Sequence, residues 1–137
     1  MKKVSTASSR GRGNRRKGQR GELQAKKWLE SLGFDVGDRQ SQYRSGVRDG
    51  NELVVEGVLQ VEVKFQTGFN VGTKHLGDAC AQAERDAKGK PWCVVWRATG
   101  RRQWILTHHD GYGNRITRDT DIGAKAWIAG IIQENEV

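Results

Sequence analysis

The sequence predicts a single α/β domain in which a central mixed β-sheet is flanked by helices. Three segments repeat their apolar residues at helical spacing, and short apolar runs of β-favouring residues lie between them. These patterns follow one another in the order α-β-β-β-α-β, with a further strand and a helix towards the C-terminus. The length of 137 residues suits one compact domain.

The first segment differs in composition from the rest, and we divide the chain into a basic arm (1–20) and one domain (21–137). Few apolar residues occur in the arm, so it cannot bury a core and we expect it to be disordered when free. The formal net charge of +8 favours a polyanionic partner, either nucleic acid or an acidic membrane surface. We expect the arm to contact DNA phosphates through Arg10, Arg12, Arg15, Arg16, Lys17 and Arg20.

Residues 22–32 have the apolar spacing of a helix, with Ala25 and Leu29 on its buried side, and Gly33 ends it. The polar stretch 37–51 that follows is predicted to be a loop. Loops of this length in compact domains commonly carry function or are disordered. We expect it to contact DNA through Arg39, Tyr43, Arg44 and Arg48.

Residues 53–55 and 58–65 predict a β-hairpin around a tight turn at Glu56-Gly57. The remaining elements are predicted as a helix over 75–88, strands over 92–96 and 103–107, and a helix over 122–133. The buried stripe of the last helix is expected to comprise Ile122, Ala126, Trp127, Ile131 and Ile132.

Two charged residues interrupt the apolar run 59–65. Glu62 and Lys64 are two residues apart, so on a strand both side chains point to the same face. Placing two charged side chains on one face of an apolar strand costs free energy unless they take part in function. A structural ion pair across two strands would give the same sequence pattern. The chemical alternative is phosphodiester hydrolysis, in which carboxylates hold Mg²⁺, Lys64 orients water or stabilises charge, and the carbonyl of Val63 adds a metal ligand.

A second metal-binding acid would come from the start of the hairpin, and Asp49 and Glu52 both remain open. With a two-residue loop, Val55 would pair with Val58 and Asp49 would share the face of Glu62. With a three-residue loop ending in a bulge at Gly57, Val54 would pair with Val58 and Glu52 would share that face. We favour Glu52, because it directly precedes the apolar run.

Four motifs together resemble the PD-(D/E)xK nuclease superfamily, and within it the small archaeal and phage Holliday-junction resolvase-like endonucleases. The resemblance extends from about Lys17 to Trp104. It rests on Arg20-Gly21-Glu22-Leu23, on the basic loop 39–46, on Val61-Glu62-Val63-Lys64 and on the helical segment 80–87. The chain departs from the family at the second acid, where the usual Pro-Asp is replaced by Arg48-Asp49-Gly50.

The resemblance implies a restriction-endonuclease-like core and a structure-selective DNA endonuclease that depends on Mg²⁺, with Mn²⁺ as a substitute. It implies a homodimer acting on branched DNA in recombination. The two cysteines, which lack ligand spacing, favour a reduced cytoplasmic compartment, which would be the host cytoplasm if the protein is phage-encoded. The implied catalytic residues are Glu22, Asp49, Glu52, Glu62, Lys64 and Gln82, and the implied metal ligands are Glu52 or Asp49, Glu62 and Val63. Glu22 could instead complement a helix dipole, and Gln82 could be a solvated helix residue.

Two other functions remain open: a DNA-binding protein on the same fold that does not cleave, and a nuclease that cuts linear duplex in restriction or repair. We expect no membrane partner and no organic cofactor. Cys80 and Cys93 are predicted to be buried small residues in a reduced compartment. The three histidines, His75, His108 and His109, lack ligand spacing and are expected at the surface or in loops.

Overall fold

The computed structural model describes residues 20–38, 52–65, 74–98 and 100–136, except for the side chains of Asp38 and Glu52. In chain order the elements are α1 (20–31), β1 (Val36–Asp38), β2 (Glu52–Val55), β3 (Leu59–Phe65), α2 (Lys74–Ala87), β4 (Trp92–Arg97), β5 (Ile105–His109), β6 (Arg115–Arg118) and α3 (Asp121–Glu134).

The strands form one six-stranded sheet in which each strand lies beside its neighbours in the chain. All adjacent pairs are antiparallel except β3 and β4, which are parallel. A parallel pair needs a long crossover connection, and α2 lies within that connection. The prediction of an α/β fold with a mixed sheet is therefore confirmed.

Helices cover both faces of the sheet. Consecutive residues of a strand point to opposite faces, and on β4 Val95 belongs to the larger core whereas Val94 belongs to a smaller one. Helices α1 and α3 pack on the larger core, which includes Leu29, Val61, Val95, Leu106 and Ile128. Helix α2 packs on the opposite face, where Leu76, Ala79, Cys80 and Ala83 contact the layer of Val94 and Trp96.

The C-terminal part of the sheet contains a strand that the sequence analysis did not identify. The Asp110 carboxylate accepts hydrogen bonds from the backbone N–H groups of Tyr112 and Asn114, at 2.8 and 2.9 Å, and so closes a turn. The chain then returns as β6, pairing with β5. Strand β6 has only one large apolar residue, Ile116, so its sequence lacks the alternation that marks a half-buried strand.

The buried stripe predicted for the last helix is wrong in part. Ile122 is 84% exposed and Ala126 is also exposed. The buried residues are Ala124 and Ile128, while Trp127, Ile131 and Ile132 pack partly against the core. Apolar residues lie around most of this helix, so spacing alone could not select the buried side.

Within the part of the chain that the structure describes, no helix is long and apolar enough to span a lipid bilayer.

Cys80 and Cys93 are buried free thiols, as predicted. Burial raises the pKa of Cys80 to about 11, which favours the unreactive thiol form.

Candidate active site

The β2–β3 hairpin has a register that differs from both predicted alternatives. The N–H of Val58 donates to the carbonyl of Val55 at 2.9 Å, and Glu56 and Gly57 adopt φ values of 53° and 69°. Positive φ at both central residues is the requirement of a type I′ turn. Val58 is then an extra residue, because Val55 pairs with Leu59 and not with Val58.

This register places Glu52 directly opposite Glu62. Residues directly opposite one another on antiparallel strands share a face of the sheet, so Glu52 belongs to the face that carries Glu62 and Lys64. The three-residue loop correctly predicted that Glu52 shares the face of Glu62, although its predicted pairing of Val54 with Val58 is wrong. Asp49, the other candidate acid, lies outside the described residues.

Glu62 and Lys64 lie side by side on β3. The Nζ of Lys64 is 3.4 Å from Oε1 of Glu62, with 20% of the lysine side chain and 2% of the glutamate side chain exposed. Val61 and Val63 point into the core behind them. This ion pair forms along one strand, whereas the structural alternative considered from the sequence was a pair across two strands. The arrangement gives a buried carboxylate beside a cation that reaches solvent.

Glu22 lies at the same end of the sheet as Lys64 and is only 6% exposed. A Cβ built at Gly21 would be 2.7 Å from the Cβ of Phe65, so the start of α1 presses on the end of β3. Gln24 accepts a hydrogen bond from Arg97 at the end of β4. Helix α1 nevertheless packs on the face opposite to that of Glu62, so Glu22 approaches this end from the other side of the sheet.

Strand directions bring several chain segments to this end. Because β2 runs antiparallel to β3, Glu52 begins β2 where β3 ends at Phe65, and β1 ends nearby at Asp38. Parallel β4 also ends here, at Arg97. The predicted DNA-binding residues Arg10, Arg12, Arg15, Arg16, Lys17, Arg39, Tyr43, Arg44 and Arg48 lie outside the described residues, and Arg20 is exposed at the start of α1.

Gln82 is half-buried on α2, the helix that covers the face of Glu62. Neighbouring Ala79 and Ala83 are buried against the sheet. The spacing of apolar residues in the sequence predicts Leu76, Ala79, Cys80, Ala83 and Ala87 as the buried side of α2, and the structure confirms it. Gln82 is therefore on the correct side of the sheet for the proposed role, which stays a prediction.

Among the described residues, no group of three or more His, Cys, Asp and Glu side chains is arranged to hold a metal ion. The predicted ligand set includes Asp49 and the side chain of Glu52, which are outside that description. The two predicted ligands that the structure does describe are Glu62 and the backbone of Val63. Both lie on β3 next to Lys64.

Arg97 is a residue of this region that the sequence analysis missed. Its guanidinium carbon lies 4.8 Å from the ring centroid of Phe65 and 4.7 Å from that of Trp104. Those two rings are themselves 6.2 Å apart. The cation therefore contacts the faces of both aromatic rings, a stabilising cation–π arrangement. In the sequence, Arg97 is a single arginine at the end of an apolar strand, and nothing in that pattern predicts its contacts with Phe65 and Trp104.

The prediction for His108 was wrong, because this residue is buried on β5 with 5% of its surface exposed. Its ring stacks on Trp127 at a centroid distance of 4.1 Å. Its Nδ1 lies 3.0 Å from the carbonyl of His109, and its Nε2 accepts from Nε of Arg118 at 3.3 Å. Since a carbonyl only accepts, the Nδ1–H neutral tautomer satisfies both contacts. His75 is exposed and His109 is half-buried against Trp92.

No family model, no curated protein and no solved structure matches this chain. Function must therefore be inferred from the residues and their arrangement.

Proposed function

We propose that this protein is a metal-dependent DNA endonuclease with a restriction-endonuclease-like core that hydrolyses phosphodiester bonds in branched DNA, as a Holliday-junction resolvase. The observation that carries the proposal is the carboxylate of Glu62, buried on β3 beside Lys64 and opposite Glu52 in the sheet register. Carboxylates that hold a divalent metal beside a lysine that stabilises developing charge can support metal-assisted phosphodiester hydrolysis.

Mg²⁺ would be held by Glu62, by Glu52 or Asp49, and by the backbone carbonyl of Val63. These are hard oxygen ligands, which Mg²⁺ prefers, and Mn²⁺ accepts the same set. When bound, the ion would supply an activated water and neutralise charge on the leaving oxygen.

Lys64 supplies the positive charge on the protein side. The Glu62 carboxylate orients the ammonium group from a distance of 3.4 Å, and 20% of the lysine side chain remains exposed. It can therefore approach a phosphate from solvent while staying oriented, and it stabilises the negative charge that develops there. We assign supporting roles to Glu22, at the same end of the sheet, and to Gln82, on the helix over this face.

The formal net charge of +8 supports a nucleic acid as the substrate. Binding to DNA phosphates would use the basic arm and the loop over 39–51. A homodimer would place two such sites on one junction and allow two symmetric cuts.

A second candidate function is a DNA-binding protein that does not cleave. The observation that favours it is the Glu62–Lys64 ion pair, which satisfies both charges without a metal. A nuclease acting on linear duplex is the third candidate.

Cleavage assays separate these candidates. A four-way junction, a linear duplex and a single strand of matched sequence are incubated with the protein in Mg²⁺ or in excess chelator. We expect junction cleavage in Mg²⁺ and none in chelator. Cleavage of the linear duplex alone would favour the third candidate, and binding without any cleavage would favour the second.

The Glu62→Ala variant tests the site itself. We expect it to abolish cleavage and to leave DNA binding largely intact, because binding rests on the basic surface. Glu84→Ala, which removes an exposed carboxylate from α2, is the matched control and should cleave normally. Full activity of the Glu62→Ala protein would refute the assignment.

A further inference from the structure

The connection between β4 and β5 carries two adjacent exposed arginines, Arg101 and Arg102. Between Asp86 and Asp110 the sequence contains no acidic residue, whereas it contains Lys88, Lys90, Arg97, Arg101 and Arg102. Within the described residues, neither Arg101 nor Arg102 forms a salt bridge. The nearby carboxylate of Asp121 instead accepts from Trp28 Nε1 and Gln103 Nε2, at 2.9 and 2.8 Å. Both guanidinium groups are thus available to an external anion.

The backbone of this connection is held in a tight turn. The N–H of Arg101 donates to the carbonyl of Ala98 at 3.0 Å, and Gly100 has a φ of 87°. Glycine adopts this left-handed φ without steric cost. The two arginines are therefore presented from a hydrogen-bonded turn.

Side-chain contacts also hold the turn next to the end of β3. Arg97, just before the turn, contacts the rings of Phe65 and Trp104, and Gln24 of α1 accepts a hydrogen bond from the same guanidinium. Trp104 follows the turn and stacks on Trp28 of α1 at 6.4 Å. Both ends of the turn are thereby fixed relative to Phe65, the neighbour of Lys64.

The register places the turn close to the proposed site. Lys64 lies opposite Trp96 on the parallel strand, and the turn begins two residues later at Ala98. With about 4.8 Å between strands and about 3.3 Å per residue, the Cα atoms of Lys64 and Ala98 are separated by roughly 8 Å. An arginine side chain on the turn can therefore contact the DNA backbone within a few nucleotides of a phosphate bound at Lys64.

We propose that the β4–β5 turn is a second phosphate-binding surface, on which Arg101 and Arg102 contact the backbone of the duplex arm next to the scissile phosphate. This inference rests on the proposed endonuclease function and adds contact residues that belong to neither the basic arm nor the 39–51 loop in the sequence. Arginine suits this role because its planar fork binds phosphate oxygens bidentately. The contact fixes the position of the duplex and does not read its sequence.

The test compares two double variants of the full chain. Arg101→Gln/Arg102→Gln removes two charges from the turn. Lys88→Gln/Lys90→Gln removes two charges from exposed positions before β4, at the opposite end of that strand. Both variants lower the net charge by two, so their comparison tests whether the place of the lost charge matters, and Arg101→Lys/Arg102→Lys separates charge from arginine geometry.

Binding of a four-way junction and of a linear duplex is measured by fluorescence anisotropy across a salt series in chelator, so that no cleavage occurs. For the arginine variant we expect weaker binding and a log–log salt slope reduced by about one to two units, one for each lost phosphate contact. The lysine variant should keep a slope near that of the wild type. Arg101→Lys/Arg102→Lys should restore most of the salt slope, because it keeps the charge.

If the two glutamine variants had equal effects on binding, the proposal that the β4–β5 turn is a phosphate-binding surface would be refuted. The proposed endonuclease function would not be affected. Failure of the proposed function would be recognised differently, as a wild-type chain that binds no DNA or a Glu62→Ala variant that cleaves normally. A circular dichroism melt of each variant verifies folding. An arginine variant that is folded and binds like the wild type also refutes the inference.

Discussion

Glu62 and Lys64 lie two residues apart on β3 but differ in their exposure to solvent. The carboxylate is almost fully enclosed, whereas the ammonium group keeps a path to solvent. A buried carboxylate is costly unless it is paired, and here the pairing partner is also the group that would meet the substrate. The proposed metal binding and the observed ion pair therefore use the same carboxylate.

The second acid can be identified by isosteric substitution. Glu52→Gln and Asp49→Asn each remove a charge at nearly constant shape. Because Glu52 lies directly opposite Glu62, we expect Glu52→Gln to lower the cleavage rate on the order of a hundredfold or more, as for other losses of an oriented charge-stabilising group. Asp49→Asn should have little effect, as measured by single-turnover cleavage. The opposite result would assign the metal to Asp49, and full activity in both would show that the metal site is wrong.

His108 makes the folded state sensitive to acid. Desolvation by burial lowers the pKa of His108 below its ordinary value of 6.5, and the charge of Arg118 lowers it further. As pH falls below about 6.5, the unfolded chain takes up this proton before the folded chain does. The stability that neutral His108 contributes is therefore fully present above that pH and is lost as pH decreases towards the folded-state pKa.

We expect the free energy of unfolding to decrease between pH 7.5 and pH 5, and His108→Phe to flatten that decrease. Phenylalanine keeps an aromatic ring against Trp127 but has no titrating group, although Arg118 loses its acceptor, which lowers stability at pH 7.5. Urea denaturation across the pH range is the measurement, with His75→Phe as the control for losing an exposed histidine. A His108→Phe protein with the full acid dependence would contradict this account.

At the scale of single elements, α1 depends on a close approach to β3. Gly21 leaves room for Phe65 because it has no side chain, and the neighbouring Glu22 is thereby brought to the end of the sheet that carries Lys64. The position of one proposed site residue therefore depends on a glycine contact.

Two helical glycines should respond to alanine in opposite directions. Gly21→Ala would place its Cβ 2.7 Å from Phe65, so we expect a loss of about 1–3 kcal/mol in the free energy of unfolding. Gly130→Ala on α3 meets no atom within 4 Å, so the higher helix propensity of alanine should give a gain of about 0.5–1 kcal/mol. Urea denaturation of both variants is the measurement, and a stabilised Gly21→Ala protein would show that α1 does not press on β3.

At the scale of the whole molecule, positive charge extends beyond the described residues. The arm contributes Lys2, Lys3, Arg10, Arg12, Arg15 and Arg16, and the described domain adds the cations of the β4–β5 turn. The proposed DNA surface is thus distributed over parts of the chain that are far apart in sequence.

Removal of residues 1–16 should weaken DNA binding without unfolding the domain. Each of the six lost cations that contacts a phosphate should lower the log–log salt slope by about 0.9. Anisotropy titrations over a salt series measure the slope, and a thermal melt monitors folding. An unchanged slope would make the segment a solubilising tail.

Local patterns in the sequence determined the secondary structure of most elements, the buried side of α2 and the shared face of Glu62 and Lys64. These features depend on spacings of two to four residues along one element, and such spacings are fully contained in the sequence. The resemblance to a nuclease family was also drawn from the sequence, and the nuclease function stays a proposal.

Only the tertiary structure decided the remaining features, because each depends on partners far along the chain. The extra residue Val58 set the hairpin register and placed Glu52 opposite Glu62. Pairing with β5 made a strand of β6, and packing against the core selected Ala124 and Ile128 as the buried side of α3. The burial of His108 and the ring contacts of Arg97 likewise follow from side chains that the fold brings together, so no local spacing could have predicted them.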